Sequence, residues 1–225
     1  MIKKTTNLKG EIMKDKKQKK SKKVEKKDYN YWLKKVAIYP QELEYVPKKF
    51  KTAELCKKAV KHGGWSLEHV PAELKTPELC KLAVKEDGRA LEYVPSELKT
   101  AELCALAVKE SSWSLKYVPY ELKTLEICVS ALQENGCMLK YVPDELKTSD
   151  LCTLAIKEDA HVLNIISDSL KTPELCALAV QKNGSTLRYV PDELKTSELC
   201  KLAVKKNGWA LEHVPEELKT SELCK

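Results

Sequence analysis

Apolar and polar residues follow one another along most of this chain in a pattern that repeats every 24 residues without insertion or deletion. The clearest copy runs from Thr76 to Lys99 and reads TPELCKLAVKEDGRALEYVPSELK. The threonine that opens the pattern recurs at Thr52, Thr76, Thr100, Thr124, Thr148, Thr172, Thr196 and Thr220. We number the units 1 to 7 from Thr52 to Thr196. A fixed period of this length indicates a solenoid, in which each unit packs only on its neighbours.

The first half of each unit predicts an α-helix. Its apolar residues lie three and four positions apart, as on one buried helix face. The opening threonine is a good N-cap, the acidic residue after it (Glu78 in unit 2) suits the positive helix end, and Lys85 suits the last turn. The glycine that follows, Gly88 in the same unit, is expected to adopt the left-handed conformation that ends a helix.

The second half of the unit supplies further core residues, which are Leu91, Tyr93, Val94 and Leu98 in unit 2. Proline inside a helix removes a hydrogen bond and clashes with the preceding turn. Pro95 therefore predicts a short helix to about Val94, followed by a turn or a single 3₁₀ segment through residues 97–99. No stretch alternates with a period of two residues for long enough to indicate a strand. The fold class predicted is all-α, an α-solenoid.

Comparison of the units with one another separates core positions from surface positions. The position of Leu67 is leucine in every complete unit and that of Ala59 is always alanine, which indicates a packed core. One position varies widely, and we call it the variable column: Trp65, Arg89, Trp113, Cys137, His161, Ser185 and Trp209. No packed core tolerates that range of size and charge, so we expect this column at the surface.

The ends of the chain differ from the repeat. Residues 1–28 form a Lys-rich tail predicted to be disordered, and residues 29–225 form the solenoid, of which 29–51 are an atypical capping half-repeat. The sequence stops at Lys225, inside the first helix of an eighth unit. Two interpretations of this uncapped C-terminal end stay open: a fragment of a longer array, or self-association through that end.

The strings LCKLAVKEDGRALEYVPSELKT and LCKLAVKKNGWALEHVPEELKT resemble a bacterial tandem helical-repeat family known as domain of unknown function 4116. The resemblance covers about residues 41–225. It implies a helical array in a bacterial protein and carries over no catalytic residue. The chain departs from the family pattern in its threonine cap, its cysteine in every unit and its Val-Pro pair. The period also resembles that of 24-residue variant leucine-rich repeats, which pair an α-helix with a 3₁₀ helix.

Charge is concentrated at the N-terminus. The 225-residue chain has a formal net charge of +7, and residues 1–28 alone hold twelve lysines against four acidic residues. The tail is either a solvated arm or an electrostatic anchor for non-specific binding to nucleic acid or another anionic surface. No run of apolar residues is long enough to span a membrane, and no secretory signal is recognisable. We therefore expect a cytoplasmic protein.

Eight of the nine cysteines occupy one position of the repeat. Helices of neighbouring layers lie roughly 8–10 Å apart, too far for a disulfide or a shared metal ion, so these cysteines are interpreted as core residues. Cys137 stands in the variable column instead, where it is either a candidate reactive thiol or an incidental exposed cysteine. The four histidines do not combine with a nucleophile or a metal-ligand motif. No cofactor, metal site or enzymatic activity is predicted.

The variable column provides the candidate interaction surface, which consists of Trp65, Arg89, Trp113, His161 and Trp209, with Tyr120 as a further member. Tryptophan and arginine are enriched at the energetic centres of protein interfaces. The alternative is that each tryptophan packs over its own helix end. The function expected is a non-enzymatic protein–protein interaction scaffold with a protein partner still to be identified. The alternative is nucleic-acid or anionic-surface binding through the tail.

Overall fold

The computed structural model describes residues 27–220. The predictions made for the N-terminal tail and for the C-terminal end therefore concern mainly residues 1–26 and 221–225, which lie outside this range.

Each unit contains a ten-residue α-helix that begins directly after the capping residue. The α-helices are α1 (Tyr29–Ile38), α2 (Ala53–His62), α3 (Pro77–Glu86), α4 (Ala101–Glu110), α5 (Leu125–Glu134), α6 (Ser149–Glu158), α7 (Pro173–Lys182) and α8 (Ser197–Lys206). Helices α2 to α8 belong to units 1 to 7. None of the helices in residues 27–220 is long and apolar enough to cross a membrane.

Two 3₁₀ helices follow each α-helix. The longer one has six residues: Pro40–Tyr45, Gly64–His69, Gly88–Tyr93, Ser112–Tyr117, Gly136–Tyr141, Ala160–Ile165, Gly184–Tyr189 and Gly208–His213. The shorter one has three residues: Lys48–Phe50, Ala72–Leu74, Ser96–Leu98, Tyr120–Leu122, Asp144–Leu146, Asp168–Leu170, Asp192–Leu194 and Glu216–Leu218. The sequence predicts the short 3₁₀ segment but not that the preceding helix is also 3₁₀. No strand forms between residues 27 and 220.

The threonine caps form as predicted. The side-chain oxygen of Thr100 accepts a hydrogen bond of 3.2 Å from the backbone N–H of Leu103, and the other units repeat this contact. In the segment before unit 1, Asp28 takes the place of threonine and accepts from Tyr31 N at 2.9 Å. Residues 29–51 then form all three helices of a unit, although only the second half of this segment aligns with the repeat in sequence.

The glycine that follows the α-helix in units 1, 2, 4, 6 and 7 does not have the predicted left-handed conformation, because no glycine among the described residues has a positive φ. Its small size serves packing between units instead. A Cβ added to Gly88 would lie 2.3 Å from the backbone oxygen of Ala107 in the next unit. Gly64, Gly136 and Gly184 make the same close approach, at 2.2–2.4 Å. The glycine therefore lets the long 3₁₀ helix pack directly against the backbone of the following α-helix.

Residues 27–220 form an all-α solenoid with two layers. Consecutive α-helices pack side by side in one layer, and consecutive long 3₁₀ helices pack side by side in the other. Each α-helix also contacts the long 3₁₀ helix of its own unit and that of the preceding unit. The core between the layers contains the constant leucine, cysteine, alanine and valine positions, such as Leu91, Cys80, Ala83 and Val84. Burial of each leucine contributes about 1.5–3 kcal/mol.

A row of lysines links successive units. Lys99, at the end of unit 2, donates from Nζ to the backbone oxygen of Tyr117, which lies at the end of the next long 3₁₀ helix, over 3.1 Å. The same contact, at 2.8–3.0 Å, joins Lys51 to His69, Lys75 to Tyr93, Lys123 to Tyr141 and Lys171 to Tyr189. Each ammonium group thus satisfies a carbonyl that the helix end leaves without an internal partner.

Candidate interaction surface

The variable column occupies the second residue of each long 3₁₀ helix, so its members are repeated along one edge of the array. The side chains of Trp65, Trp113 and Trp209 are 37%, 46% and 84% exposed. Arg89 and His161 are also exposed. The other two members, Cys137 and Ser185, are half-buried. The candidate residues of the column are therefore at the surface, although the column is not uniformly exposed.

A side chain two positions earlier holds the backbone of the variable column in most units. Asp159, for example, accepts a hydrogen bond of 2.8 Å from the backbone N–H of His161. The equivalent contacts, at 3.0–3.1 Å, join Asp87 to Arg89, Asn135 to Cys137, Asn183 to Ser185 and Asn207 to Trp209. An aspartate or asparagine in this position starts the 3₁₀ helix and fixes where the variable side chain leaves the backbone.

Two variable residues, Trp113 and His161, lie next to side chains of the following unit. The Nζ atom of Lys140 lies 5.3 Å from the ring centroid of Trp113 in the preceding unit. The ring of His161 meets that of Tyr189 edge to face at 6.5 Å, and its Nε2 lies 3.1 Å from Nδ2 of Asn183. At these two positions the variable column borders a second column, the tyrosines at the end of the long 3₁₀ helices, and the two form one surface there.

The tyrosine column is only partly in the core, where the sequence places Tyr93. Tyr93, Tyr117, Tyr141 and Tyr189 are half-buried. A hydrogen bond to Glu92 of the preceding unit, followed by burial, raises the pKa of the Tyr117 hydroxyl. Burial, with the charge of Glu68, raises the pKa of Tyr93 in the same direction. Tyr93 and Tyr117 therefore keep their hydroxyl protons at neutral pH.

Sequence reasoning did not identify the cations beside these rings. Lys116 Nζ lies 5.2 Å from the ring centroid of Tyr117, and Lys140 Nζ lies 4.8 Å from that of Tyr141. The guanidinium carbon of Arg188 lies 4.6 Å from the centroid of Tyr189. A signal was present in the sequence, because the position before the tyrosine changes from acidic to basic in the middle units.

Two other candidate residues have different surroundings. Nε of Arg89 pairs with Asp87 Oδ1 of its own unit at 3.3 Å. Tyr120 lies on the short 3₁₀ helix, and its hydroxyl donates to Glu145 of the next unit. Within residues 27–220 Tyr120 makes no ring contact or hydrogen bond with the variable column. The structure thus brings Trp113 and His161 together with the tyrosine column but leaves Tyr120 separate from them.

Seven of the eight repeated cysteines lie in the core, as their pattern predicts, and the eighth, Cys224, lies outside the described residues. Cys56, Cys80, Cys104, Cys128, Cys152, Cys176 and Cys200 are free thiols with no exposed surface. Burial raises the pKa of Cys56 and of Cys104 to about 11, which leaves almost no thiolate at neutral pH. Among residues 27–220 no three His, Cys, Asp or Glu side chains lie close enough together to hold a metal ion.

Cys137 differs from the exposed reactive thiol considered from the sequence. Its side chain is half-buried, and its Sγ donates a hydrogen bond of 3.1 Å to Asp159 Oδ2 of the next unit. Burial, the hydrogen bond and the charge of Asp159 together raise the pKa of the Cys137 thiol. Because the thiolate is the nucleophile, these surroundings favour an unreactive cysteine.

We expect Asp159→Asn to make Cys137 react about two to five times faster with an alkylating reagent at pH 8, because it removes a negative charge beside the sulfur. Asparagine stands at the same position in units 4, 6 and 7, so the helix start is preserved. The measurement is the alkylation rate of Cys137 by peptide mass spectrometry, with Asp87→Asn as the matched control. Reaction of wild-type Cys137 as fast as a small free thiol would contradict this description.

The repeat length, the two helical layers and the exposed variable column define the class of the molecule as a tandem-repeat α-solenoid protein. The chain belongs to the family described as Domain of unknown function (DUF4116), whose pattern matches residues 52–99, 76–123, 100–147, 124–171, 148–195 and 172–219. Each match spans two units and the next begins one unit later, so the matches follow the structural repeat. No curated protein and no solved structure matches the chain.

Proposed function

We propose that this chain is a non-enzymatic scaffold that binds a protein partner through the variable column and the neighbouring tyrosine column. The observation that carries the proposal is the contrast between positions. The core positions of Leu67, Ala59 and Cys56 keep one residue type in every complete unit, while the variable column changes and holds three partly or largely exposed tryptophans. Large exposed aromatic side chains are costly at a surface with no partner and are enriched at interface centres.

A bacterial source and a cytoplasmic location belong to the same proposal. The seven buried repeat cysteines and Cys137 are all free, which suits a reducing compartment. Contact of each unit only with its neighbours produces a long surface, and repeat arrays typically use such surfaces for binding.

The test is capture of partners by the full-length chain from nuclease-treated lysate of the organism that encodes it. The test variant changes Trp65, Trp113 and Trp209 to serine, the residue that unit 6 carries at Ser185. The matched control is Leu125→Ala, which removes an exposed apolar side chain from the α-helical layer where units 1 and 3 have alanine. We expect wild type and control to capture the same protein and the tryptophan variant to lose most of it.

Capture that the tryptophan variant retains would contradict the proposal. If that remaining capture disappears in a chain without residues 1–28, the Lys-rich tail is the binding element, and the alternative of an anionic surface or nucleic acid takes its place.

A further inference from the structure

The middle of the array carries a reversal of charge at one repeated surface position. This position directly precedes the tyrosine column, and its residues are Glu68, Glu92, Lys116, Lys140, Asn164, Arg188 and Glu212. All seven side chains are exposed. Units 1, 2 and 7 are therefore acidic here, whereas units 3, 4 and 6 are basic. The constant core does not require this change, since both signs occur on the same backbone.

The three cations lie against aromatic rings and not against carboxylates. Lys140 is shared between two rings, since its Nζ lies 5.3 Å from the centroid of Trp113 and 4.8 Å from that of Tyr141. Lys116 and Arg188 each lie over the tyrosine that follows them. Within residues 27–220 none of the three cations has a carboxylate oxygen within 4 Å. None of the three therefore forms an ion pair with a described residue, and their stems and the rings form a partly apolar floor.

We propose that units 3 to 6 bind an extended acidic segment of a protein partner across this surface, with carboxylates at Lys116, Lys140 and Arg188 and apolar contact at Trp113. This inference rests on the proposed scaffold function and names the chemistry of the partner. A carboxylate that meets a cation already placed on an aromatic ring gains a charge-assisted hydrogen bond without displacing an existing ion pair.

The spacing of the cations suits a peptide. Neighbouring helices lie about 8–10 Å apart and an extended chain rises about 3.3 Å per residue, so every third peptide residue meets the next unit. Asn164 interrupts the row between Lys140 and Arg188. Acidic residues are therefore expected at relative positions 1, 4 and 10 of the segment, or 1, 7 and 10 in the opposite direction.

A long polyanion suits this surface less well. Units 2 to 4 carry exposed acidic residues as well, among them Glu92 at the equivalent position of unit 2 and Glu121, Asp144 and Glu145 on the short 3₁₀ helices. Outside residues 1–28 the chain is close to neutral, at about −1. A nucleic acid has a continuous backbone charge and would meet these carboxylates, whereas a peptide carries its charges only at chosen positions.

The test uses the full-length chain and two fluorescently labelled ten-residue peptides of the same composition. One has glutamate at positions 1, 4, 7 and 10, and the other has the four glutamates consecutively. The test variant is Lys116→Glu with Lys140→Glu, which introduces the residue that units 1, 2 and 7 carry. The matched control is Lys57→Glu with Lys81→Glu, which changes the net charge equally at exposed positions of the α-helical layer. Circular dichroism verifies that both variants are equally folded.

We expect wild type and control to bind the spaced peptide with similar affinity in fluorescence anisotropy, and the test variant to bind about tenfold more weakly or worse. The peptide with consecutive glutamates is expected to bind more weakly to wild type. Three results would overturn the proposal: no binding of the spaced peptide, an equal effect of both double variants, or an effect of neither. If neither double variant weakens binding of the spaced peptide, the Lys-rich tail is the element that binds it.

Binding of an oligothymidine probe tests the remaining alternative, that the same surface binds nucleic acid. If it binds more tightly than the spaced peptide and loses its affinity in the test variant, the surface binds nucleic acid and the peptide proposal is wrong. An experiment that rejects the acidic partner can be distinguished from one that rejects the scaffold function. Tryptophan-dependent capture from lysate without binding of the spaced peptide would retain the scaffold and reject only the acidic partner.

Discussion

Gly88→Ala is expected to lower the free energy of unfolding by about 2–3 kcal/mol, because the added methyl group overpacks the junction between units 2 and 3. Its Cβ would lie 2.3 Å from Ala107 O and 2.9 Å from Ser111 N, both backbone atoms that cannot rotate away. The cost has an upper limit, since Ser112 and Ala160 already place a Cβ at the equivalent position of units 3 and 5. A shift between units can therefore accommodate the atom.

Gly208→Ala is the matched control for this prediction. A Cβ at Gly208 would meet nothing within 4 Å, and its φ is not positive, so alanine is expected to be neutral or to stabilise by up to about 1 kcal/mol. The measurement is urea unfolding followed by circular dichroism for both variants and wild type. Equal stability of the two variants would show that the glycine column is not needed for close approach of the units.

Alkaline pH is expected to lower the stability of the folded protein between about pH 9 and pH 11 through its buried cysteines. Burial raises the pKa of Cys56 and of Cys104 from 9.0 to about 11. Below pH 9 both the folded and the unfolded chain keep the thiol protonated, so this stability is fully present. Between the two values only the unfolded chain releases the proton, and each such thiol then reduces stability by about 1.4 kcal/mol per pH unit.

Whether stability rises or falls above pH 9 depends on how many buried thiols and how many buried lysines titrate there. Burial also raises the pKa of Cys80, Cys128, Cys152, Cys176 and Cys200. Burial lowers the pKa of Lys75 and Lys123. These two lysines therefore increase the stability of the folded protein as the pH rises towards 10.5. Seven thiols outnumber two ammonium groups, and stability should fall.

The measurement is the thermal midpoint between pH 7 and pH 11 with a reductant present. Cys104→Ala serves as the comparison, because it removes one titrating thiol from the core. This variant is expected to be less stable than wild type at pH 7 but to lose stability less steeply above pH 9. A wild-type midpoint that stays constant from pH 9 to pH 11 would exclude this role of the cysteines.

The α-helices and the core columns could be predicted from the sequence because their causes lie within one unit. Thr100 bonds a backbone N–H three residues later, and Cys104 and Ala107 follow at helical spacing. The variable column could also be placed at the surface, since no core accepts both Trp113 and Arg89 at one position. Repetition inside the chain supplied the comparison that made this possible.

The remaining features depend on contacts between units, which no single unit encodes. The role of Gly88 is set by Ala107 of the next unit, so a positive φ was the wrong expectation. Over the six residues from Gly88 to Tyr93, periods of 3.0 and 3.6 are too similar to distinguish a 3₁₀ from an α-helix. The position of Lys140 between Trp113 and Tyr141 likewise appears only once two layers are stacked.

The solenoid orders its α-helices so that all of their electric dipoles point the same way. Each of the eight helices in residues 27–220 occupies the same place in its unit, so their positive ends lie along one edge, and parallel neighbouring dipoles repel. Every unit places its own carboxylate at that edge: Asp28, Glu54, Glu78, Glu102, Glu126, Asp150, Glu174 and Glu198. The attraction between each carboxylate and the positive end of its helix contributes roughly 0.3–1 kcal/mol, which offsets this repulsion. Because the compensation is supplied unit by unit, lengthening the array does not accumulate an electrostatic penalty along its edge.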